Sequence, residues 1–146
     1  MATAATPTLP RTYRPLGPRI AGLVAMAALL AIGAGAWFSF DDPTRASFTL
    51  FQRGTVIALT LLALATIFSL TRSRVQADQE GLTVVNGYRR HRLVWEQVVG
   101  IHLAPGAPWA VLDLSDGGTV SLLAIQGSDG ARSRRAVREL RAVIDR

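Results

Sequence analysis

A stretch of twenty-one residues at positions 20–40 contains no charged side chain, and it constrains this chain more than any other feature. As an α-helix it would be about 31 Å long at 1.5 Å per residue, which matches the roughly 30 Å hydrocarbon core of a bilayer. A soluble domain of this size has little use for a helix that is apolar on every side. The stretch therefore predicts a membrane-spanning helix.

A second uncharged stretch covers residues 54–70. It becomes long enough to cross a bilayer if it is extended back to about residue 49, with Arg53 snorkelling to the interface. Between the two stretches, Asp42-Pro43 is expected to end the first helix, because the residue before a proline is pushed out of the α region. We therefore predict two transmembrane helices, at about 20–40 and 49–71.

The first apolar stretch also has features of a signal peptide, since Ala34-Gly35-Ala36 resembles a cleavage site. Its length and its long N-terminal lead favour an uncleaved helix. Small residues recur at four-residue steps, at Ala27, Ala31 and Gly35, which is typical of close helix–helix contact and of homo- or hetero-oligomers formed through transmembrane helices. The abundance of Ala and Gly explains this spacing equally well.

Residues 1–19 hold four prolines and three arginines without an apolar period, which predicts a disordered N-terminal tail. Arginine also predicts the orientation of the helices. The flanks outside the pair carry five arginines, at positions 11, 14, 19, 72 and 74, whereas the connection has two arginines beside Asp41 and Asp42. We expect a multi-pass protein of the inner (plasma) membrane with both termini in the cytoplasm.

Residues 72–146 have a different composition, with eleven of the sixteen arginines and eight of the ten acidic residues. Their net charge is therefore only +3, and no aromatic-interleaved basic strip occurs, so a nucleic-acid partner is not expected. The absence of cysteine excludes disulfides and thiolate metal sites.

From residue 75 onward the apolar period changes to two, which predicts five or six short antiparallel strands. Asn86-Gly87 is a strong hairpin signal, and Asp116-Gly117-Gly118 predicts a second tight turn. A Pro-Gly-Ala-Pro break separates the middle strands. The strands are expected at about residues 82–85, 88–94, 98–103, 109–114 and 119–125.

Residues 131–144 instead show a helical period, with Val137, Leu140, Val143 and Ile144 on one stripe. Arginines and Glu139 are expected on the other faces of this helix, and Ser128 or Asp129 is expected to cap its N-terminus. The stripe should pack over an open end of the sheet.

Three motifs occur in this half of the chain: Asp78-x-x-Gly81-Leu82, Arg92-Leu93-Val94-Trp95-x-x-Val98-x-x-Ile101 and Pro105-Gly106-x-Pro108-Trp109-Ala110-Val111-Leu112. Together with strands followed by one C-terminal helix, they resemble a pleckstrin-homology (PH)-like domain. The resemblance covers about residues 75–143 and is to the small bacterial PH domain of the actinobacterial low-molecular-weight protein antigen type, which commonly follows two transmembrane helices. It implies an α+β protein: a transmembrane hairpin, then residues 72–146 as a PH-like antiparallel β-barrel or bent sheet capped by a helix. A full PH barrel has seven strands, two or one more than the sequence predicts.

Arg89, Arg90 and Arg92 form the densest local charge and are the candidate phosphate- or lipid-binding residues, because guanidinium groups bind phosphate oxygens in bidentate fashion. PH domains of eukaryotes often hold lipid phosphates near an early hairpin. A solvated strand face explains the same residues, and strand alternation would separate Arg90 and Arg92 from Arg89. The arginines of the last helix (132, 134, 135, 138 and 141) could face lipid, a protein partner or water, and water is favoured.

No catalytic motif occurs, and His91 and His102 are the only histidines, so neither an enzyme nor a metal site nor a cofactor is expected. Neither uncharged stretch, 20–40 or 54–70, contains an ionisable residue that would indicate transport. Three functions stay open: a membrane-anchored module that binds an unidentified protein partner at the cytoplasmic face, an anionic-lipid headgroup binder or sensor, and a small structural subunit of a larger membrane complex.

Overall fold

The computed structural model describes residues 8–146 and contains four α-helices and seven β-strands within them. The sequence predictions for residues 1–7 lie outside this part of the chain. The helices are α1 (Gly17–Ser39), α2 (Asp42–Ser47), α3 (Leu50–Thr71) and α4 (Ala131–Ile144). The strands are β1 (Arg11–Tyr13), β2 (Arg74–Ala77), β3 (Gly81–Asn86), β4 (Arg89–Val94), β5 (Val98–His102), β6 (Trp109–Leu114) and β7 (Thr119–Gln126).

Helices α1 and α3 pack against each other as a hairpin, and both are long and apolar enough to cross a membrane. Neither helix contains a buried residue. They approach closely at Gly22, where a Cβ atom would lie 2.8 Å from Cγ2 of Thr71. The predicted connection contains the short helix α2, which begins beside Pro43 because proline is favoured in a first helical turn.

The seven strands form two antiparallel sheets, ordered β1-β2-β3-β4 and β5-β6-β7. The sheets face each other and bury the apolar side of the strands, with α4 packed against β5 and β7. This is the α+β PH-like fold, and within residues 8–146 the two sheets do not join into a closed barrel. The fully buried side chains include Val75, Leu82, Leu112, Leu122 and Leu140.

The prediction of a disordered tail over residues 1–19 is wrong for residues 11–13. These residues form β1, in which Arg11, Thr12 and Tyr13 pair with Ala77, Gln76 and Val75. The sheet satisfies the main chain of β1 along one side, and Tyr13 is only 8% exposed. The fold therefore begins ahead of α1, and the helical hairpin is inserted between its first and second strands.

Three predictions for the end of the chain have different outcomes. The apolar stripe of α4 is confirmed, because Val137, Leu140 and Val143 are buried. The predicted cap is wrong: Gly130 occupies the N-cap position at φ +57°, and no side chain there bonds to the helix. Glu139, expected on an outer face, is 7% exposed.

Candidate functional site

The three arginines predicted to bind phosphate all lie on β4 and are exposed. β4 is an edge strand of the first sheet, and the tight turn before it contains Gly87 at φ +62°. This φ is in the left-handed region, which glycine adopts without strain. Arg89, Arg90 and Arg92 follow this turn in order along β4.

Tyr88 joins this turn to α3. Its hydroxyl donates a hydrogen bond of 2.9 Å to the carbonyl oxygen of Ala65, inside the helix. The guanidinium carbon of Arg72 lies 5.6 Å from the centre of the Tyr88 ring and 5.8 Å from that of Phe68. The turn is therefore held against the last turns of α3 by an aromatic–arginine stack.

The arginines are divided between two faces of the strand. Arg90 lies opposite Val85, and Arg92 lies opposite Thr83, so both are on the outer face of the first sheet. Arg89 lies opposite Asn86 and shares the other face with His91. The structure thus does not bring the three guanidinium groups together on one surface, because side chains alternate along a strand.

A polar row crosses the outer face of the first sheet. Thr12, Gln76, Thr83 and Arg92 are successive partners across its four strands. Arg74 and Arg90 lie one row nearer to α3, on either side of Val85. Within residues 8–146, none of the arginines at positions 72, 74, 89, 90 and 92 forms a salt bridge. Arg72 stacks on Tyr88 and Phe68, and Arg74 donates to Oε1 of Gln76 at 3.3 Å, so the charges available to a ligand are the three on β4.

A second polar cluster lies on the opposite edge of the first sheet, where no sequence pattern predicts a site. Tyr13 donates a hydrogen bond of 3.2 Å to Oε2 of Glu139, which also lies 3.3 Å from Nε of Arg11. Arg135 donates to Oε1 of the same carboxylate at 2.9 Å. Burial raises the pKa of the Tyr13 phenol, and the adjacent carboxylate of Glu139 raises it further. The cluster joins β1 to α4.

Asp129 forms a second link between the helical hairpin and the C-terminal part of the chain. Its carboxylate accepts hydrogen bonds from the main-chain N–H groups of Leu16 and Gly17, at 3.3 and 3.2 Å. These groups are at the N-terminus of α1, where unpaired donors and the helix dipole favour an anion. Asp129 therefore stabilises α1 rather than the helix that follows it in sequence.

Asn86 has a second role besides forming the tight turn before β4. Its amide donates to the carbonyl of Ser121 at 2.6 Å, and its carbonyl accepts from the N–H of Leu123 at 3.2 Å. Both partners are on β7, so this side chain connects the two sheets. The local sequence around Asn86 contains no information about a partner on a strand that is distant in the chain.

Other aromatic and polar side chains of the domain have structural roles or stay on the surface. Trp95 packs against the core, and its indole N–H donates to the carbonyl of Asp78 at 3.0 Å. His102 and Asp113 form an exposed pair at 3.0 Å. Within residues 8–146, no group of three His, Cys, Asp or Glu side chains is arranged to hold a metal ion.

Comparison with known proteins agrees with this fold. Residues 72–142 match the family model of the bacterial PH domain, a class of binding modules, and no catalytic family is identified. Uncharacterized proteins of Mycobacterium bovis and Mycobacterium tuberculosis are 29% identical to the chain over 89 residues. That region is 61% of this chain, and it spans 58% of the length of those relatives. No solved structure matches significantly.

Proposed function

We propose that this protein is a membrane-anchored interaction module, in which the hairpin of α1 and α3 spans the cytoplasmic membrane and holds the PH-like domain at its inner face. There the domain binds protein partners. The observation that carries this proposal is the insertion of the hairpin between β1 and β2. Because both ends of the hairpin continue directly into paired strands, the domain has no flexible tether and keeps one orientation towards the bilayer.

The same insertion supports an uncleaved first helix. Cleavage near Ala34-Gly35-Ala36 would remove β1 from the chain, and with it Tyr13 from the core. It would also remove the helix N-terminus that Asp129 caps. If the first helix were a removable signal peptide, the residues ahead of it would not form a strand of the domain that remains after cleavage.

The distribution of arginines supports the sidedness. Arg14 and Arg19 precede or begin α1, and Arg72 and Arg74 follow α3, so they lie at the end of the hairpin that carries the PH-like domain. At the other end, Arg45 pairs with Asp42 at 2.7 Å, which leaves less free positive charge. The excess of arginine at the domain end favours a cytoplasmic location for it.

Two experiments test this proposal. Because the chain has no cysteine, single cysteines can report sidedness: Ala46→Cys, in α2, should react with an impermeant maleimide on intact cells, and Ser115→Cys, in the β6–β7 turn, should react only after lysis. Photo-crosslinkers at exposed positions of the domain should then yield adducts with other proteins in intact membranes. Labelling of Ser115→Cys from outside, or the absence of protein adducts from every position, contradicts the proposal.

A specific observation also favours the second candidate, recognition of anionic lipid headgroups. Ala65 lies six residues before the end of α3, which is about 9 Å along the helix axis. The Tyr88 ring bound to it would therefore lie at the headgroup level, where tyrosine is enriched. Arg89 and Arg90 would be close to lipid phosphates, whereas Arg92 is two to three residues further along the strand.

This second candidate predicts a difference between neighbouring arginines. In nanodiscs, spin-labelled phosphatidylglycerol should be preferred over phosphatidylcholine by the full chain. The double variant Arg89→Ala/Arg90→Ala should lose most of that preference, because each arginine near an anionic surface contributes about 1 kcal/mol. Arg92→Ala is the matched control and should change it little. Equal effects of the two variants, or no preference in the unmodified chain, would exclude lipid recognition at this turn.

A further inference from the structure

We propose that the groove between β1 and the N-terminal half of α4 binds an extended, acidic segment of a protein partner, which adds a strand to the free edge of β1. The inference rests on the proposed function and adds to it the binding surface and the chemistry of the partner. The groove, called here the β1–α4 groove, has a volume of about 560 Å³ and lies on the side of the first sheet opposite β4.

One edge of β1 has no neighbouring strand. β1 is the first strand in the sheet order and pairs only with β2. In an antiparallel pair, successive residues direct their N–H and C=O groups alternately towards and away from the partner strand. Within residues 8–146, no hydrogen bond from outside the sheet reaches the main chain of Arg11–Tyr13. Donors and acceptors along this edge are therefore available to another strand.

The walls of the groove provide room for an extended segment beside that edge. Ala124 and Ile125, at the end of β7, and Ala136 of α4 form its floor; they are only 4%, 2% and 8% exposed, so they shape the groove and offer little free apolar surface. The side chain of Ser133 bonds to the carbonyl of Gln126 and so does not project into the groove as a free polar group. Alanine at two of the floor positions leaves room for alternate side chains of an added strand.

The charges around the groove select the partner. Arg14 and Arg132 line it, are exposed, and form no salt bridge within residues 8–146. The two acidic residues of the lining already have partners: Glu139 bonds to Arg11, Tyr13 and Arg135, and Asp129 bonds to the start of α1. The lining contains four arginines and these two acids, a net charge of +2. Charge complementarity therefore favours an acidic segment.

The combination of these features favours a peptide over a lipid headgroup. A phosphate needs only the guanidinium groups, and it leaves the main-chain groups of β1 unused. An extended acidic segment uses both the guanidinium groups and the main-chain groups.

The test uses the full chain in phosphatidylcholine nanodiscs and a fluorescein-labelled hexapeptide in which Glu and Thr alternate. Fluorescence anisotropy should show binding of this peptide. A Gln-Thr peptide lacks the charge, and the acidic peptide with an N-methyl group at every second residue cannot pair along one edge. Both should bind at least about fivefold more weakly, as should the acidic peptide to the variant Arg14→Ala/Arg132→Ala. Arg138→Ala, on α4 but outside the groove, is the control and should not change the affinity.

Several results would overturn the inference: equal binding of the N-methylated peptide, unchanged affinity in the double variant, or no binding up to about 1 mM. Loss of anionic-lipid preference in the double variant, without peptide binding, would identify a lipid site instead. A benzoylphenylalanine at position 132, compared with one at position 138, separates this inference from the proposed function. Protein adducts that form only away from position 132 contradict the groove alone, whereas no adducts from any position contradict both.

Discussion

The hydroxyl of Tyr13 donates a hydrogen bond of 3.2 Å to Glu139, although the two residues are 126 positions apart and both apolar helices lie between them in the chain. Tyr13 is on the strand ahead of the hairpin, and Glu139 is on the last helix. The contact therefore closes the fold around the inserted hairpin, and it is the most direct evidence that the domain includes residues from both sides of it.

The first prediction concerns this bond. Tyr13→Phe keeps the ring and removes the hydroxyl, so it should lower the free energy of unfolding by about 1.5–3 kcal/mol, the range for a hydrogen bond to a charged group. Faster hydrogen–deuterium exchange at β1 in nanodiscs would measure the local effect. Tyr88→Phe is the matched control: it removes a hydroxyl bonded to the carbonyl of Ala65 and should leave β1 protected. Unchanged protection of β1 in Tyr13→Phe would show that the bond contributes little.

The second prediction concerns alkaline pH. Burial and the carboxylate of Glu139 raise the pKa of the Tyr13 phenol in the folded chain, whereas an unfolded tyrosine titrates at about 10. Below about pH 10 both states keep the proton, and the contribution of Tyr13 is complete. Above it the unfolded state releases its proton first, so the stability of the unmodified chain should fall. The unmodified chain should therefore lose its advantage in unfolding temperature over Tyr13→Phe as the pH rises from 8 to 11. A difference that grows over this range would show that folding lowers the pKa of Tyr13 instead of raising it.

The third prediction follows from the inserted hairpin. If residues 17–71 are replaced by a short Gly-Ser linker, β1 and β2 can still pair, because Tyr13 and Val75 are neighbours in the sheet. This shortened chain should give a dispersed NMR spectrum and a cooperative thermal transition. Residues 72–146 alone lack β1 and expose the edge of β2, so they should be much less stable or aggregate. The linked chain with Tyr13→Ala is the control, with an expected loss of about 3–5 kcal/mol. Equal stability of the linked chain and of residues 72–146 alone would show that β1 is not part of the domain.

The fourth prediction concerns the carboxylate that caps α1. Asp129→Ala should cost about 1 kcal/mol, the usual effect of losing an N-terminal cap, and should speed exchange at the N–H groups of Leu16 and Gly17. Ser128→Ala, the adjacent exposed substitution, should have little effect. Gly17→Ala should resemble Asp129→Ala, because the added Cβ would lie 2.8 Å from Oδ1 of Asp129. Normal exchange in both variants would show that α1 does not depend on this link.

The features that the sequence predicts well are those that depend on neighbours along the chain. The apolar stretches specify the two long helices, the Asn86-Gly87 pair specifies a tight turn, and the stripe containing Leu140 specifies the buried face of α4. These follow from periodicity and from turn stereochemistry, both of which are local. The family resemblance adds the PH-like fold of the strands and the last helix.

Other features of the fold depend on partners that are distant in sequence. Three residues of a proline-rich tail become a strand because β2 offers an open edge, and Asp129 caps a helix that begins 112 residues before it. Glu139 is buried although its position on the helical wheel predicts exposure, because Arg11, Tyr13 and Arg135 compensate its desolvation. The sequence determines which segments are apolar and which alternate; the packed chain determines which polar groups find each other, since pairing energy depends on distance in space.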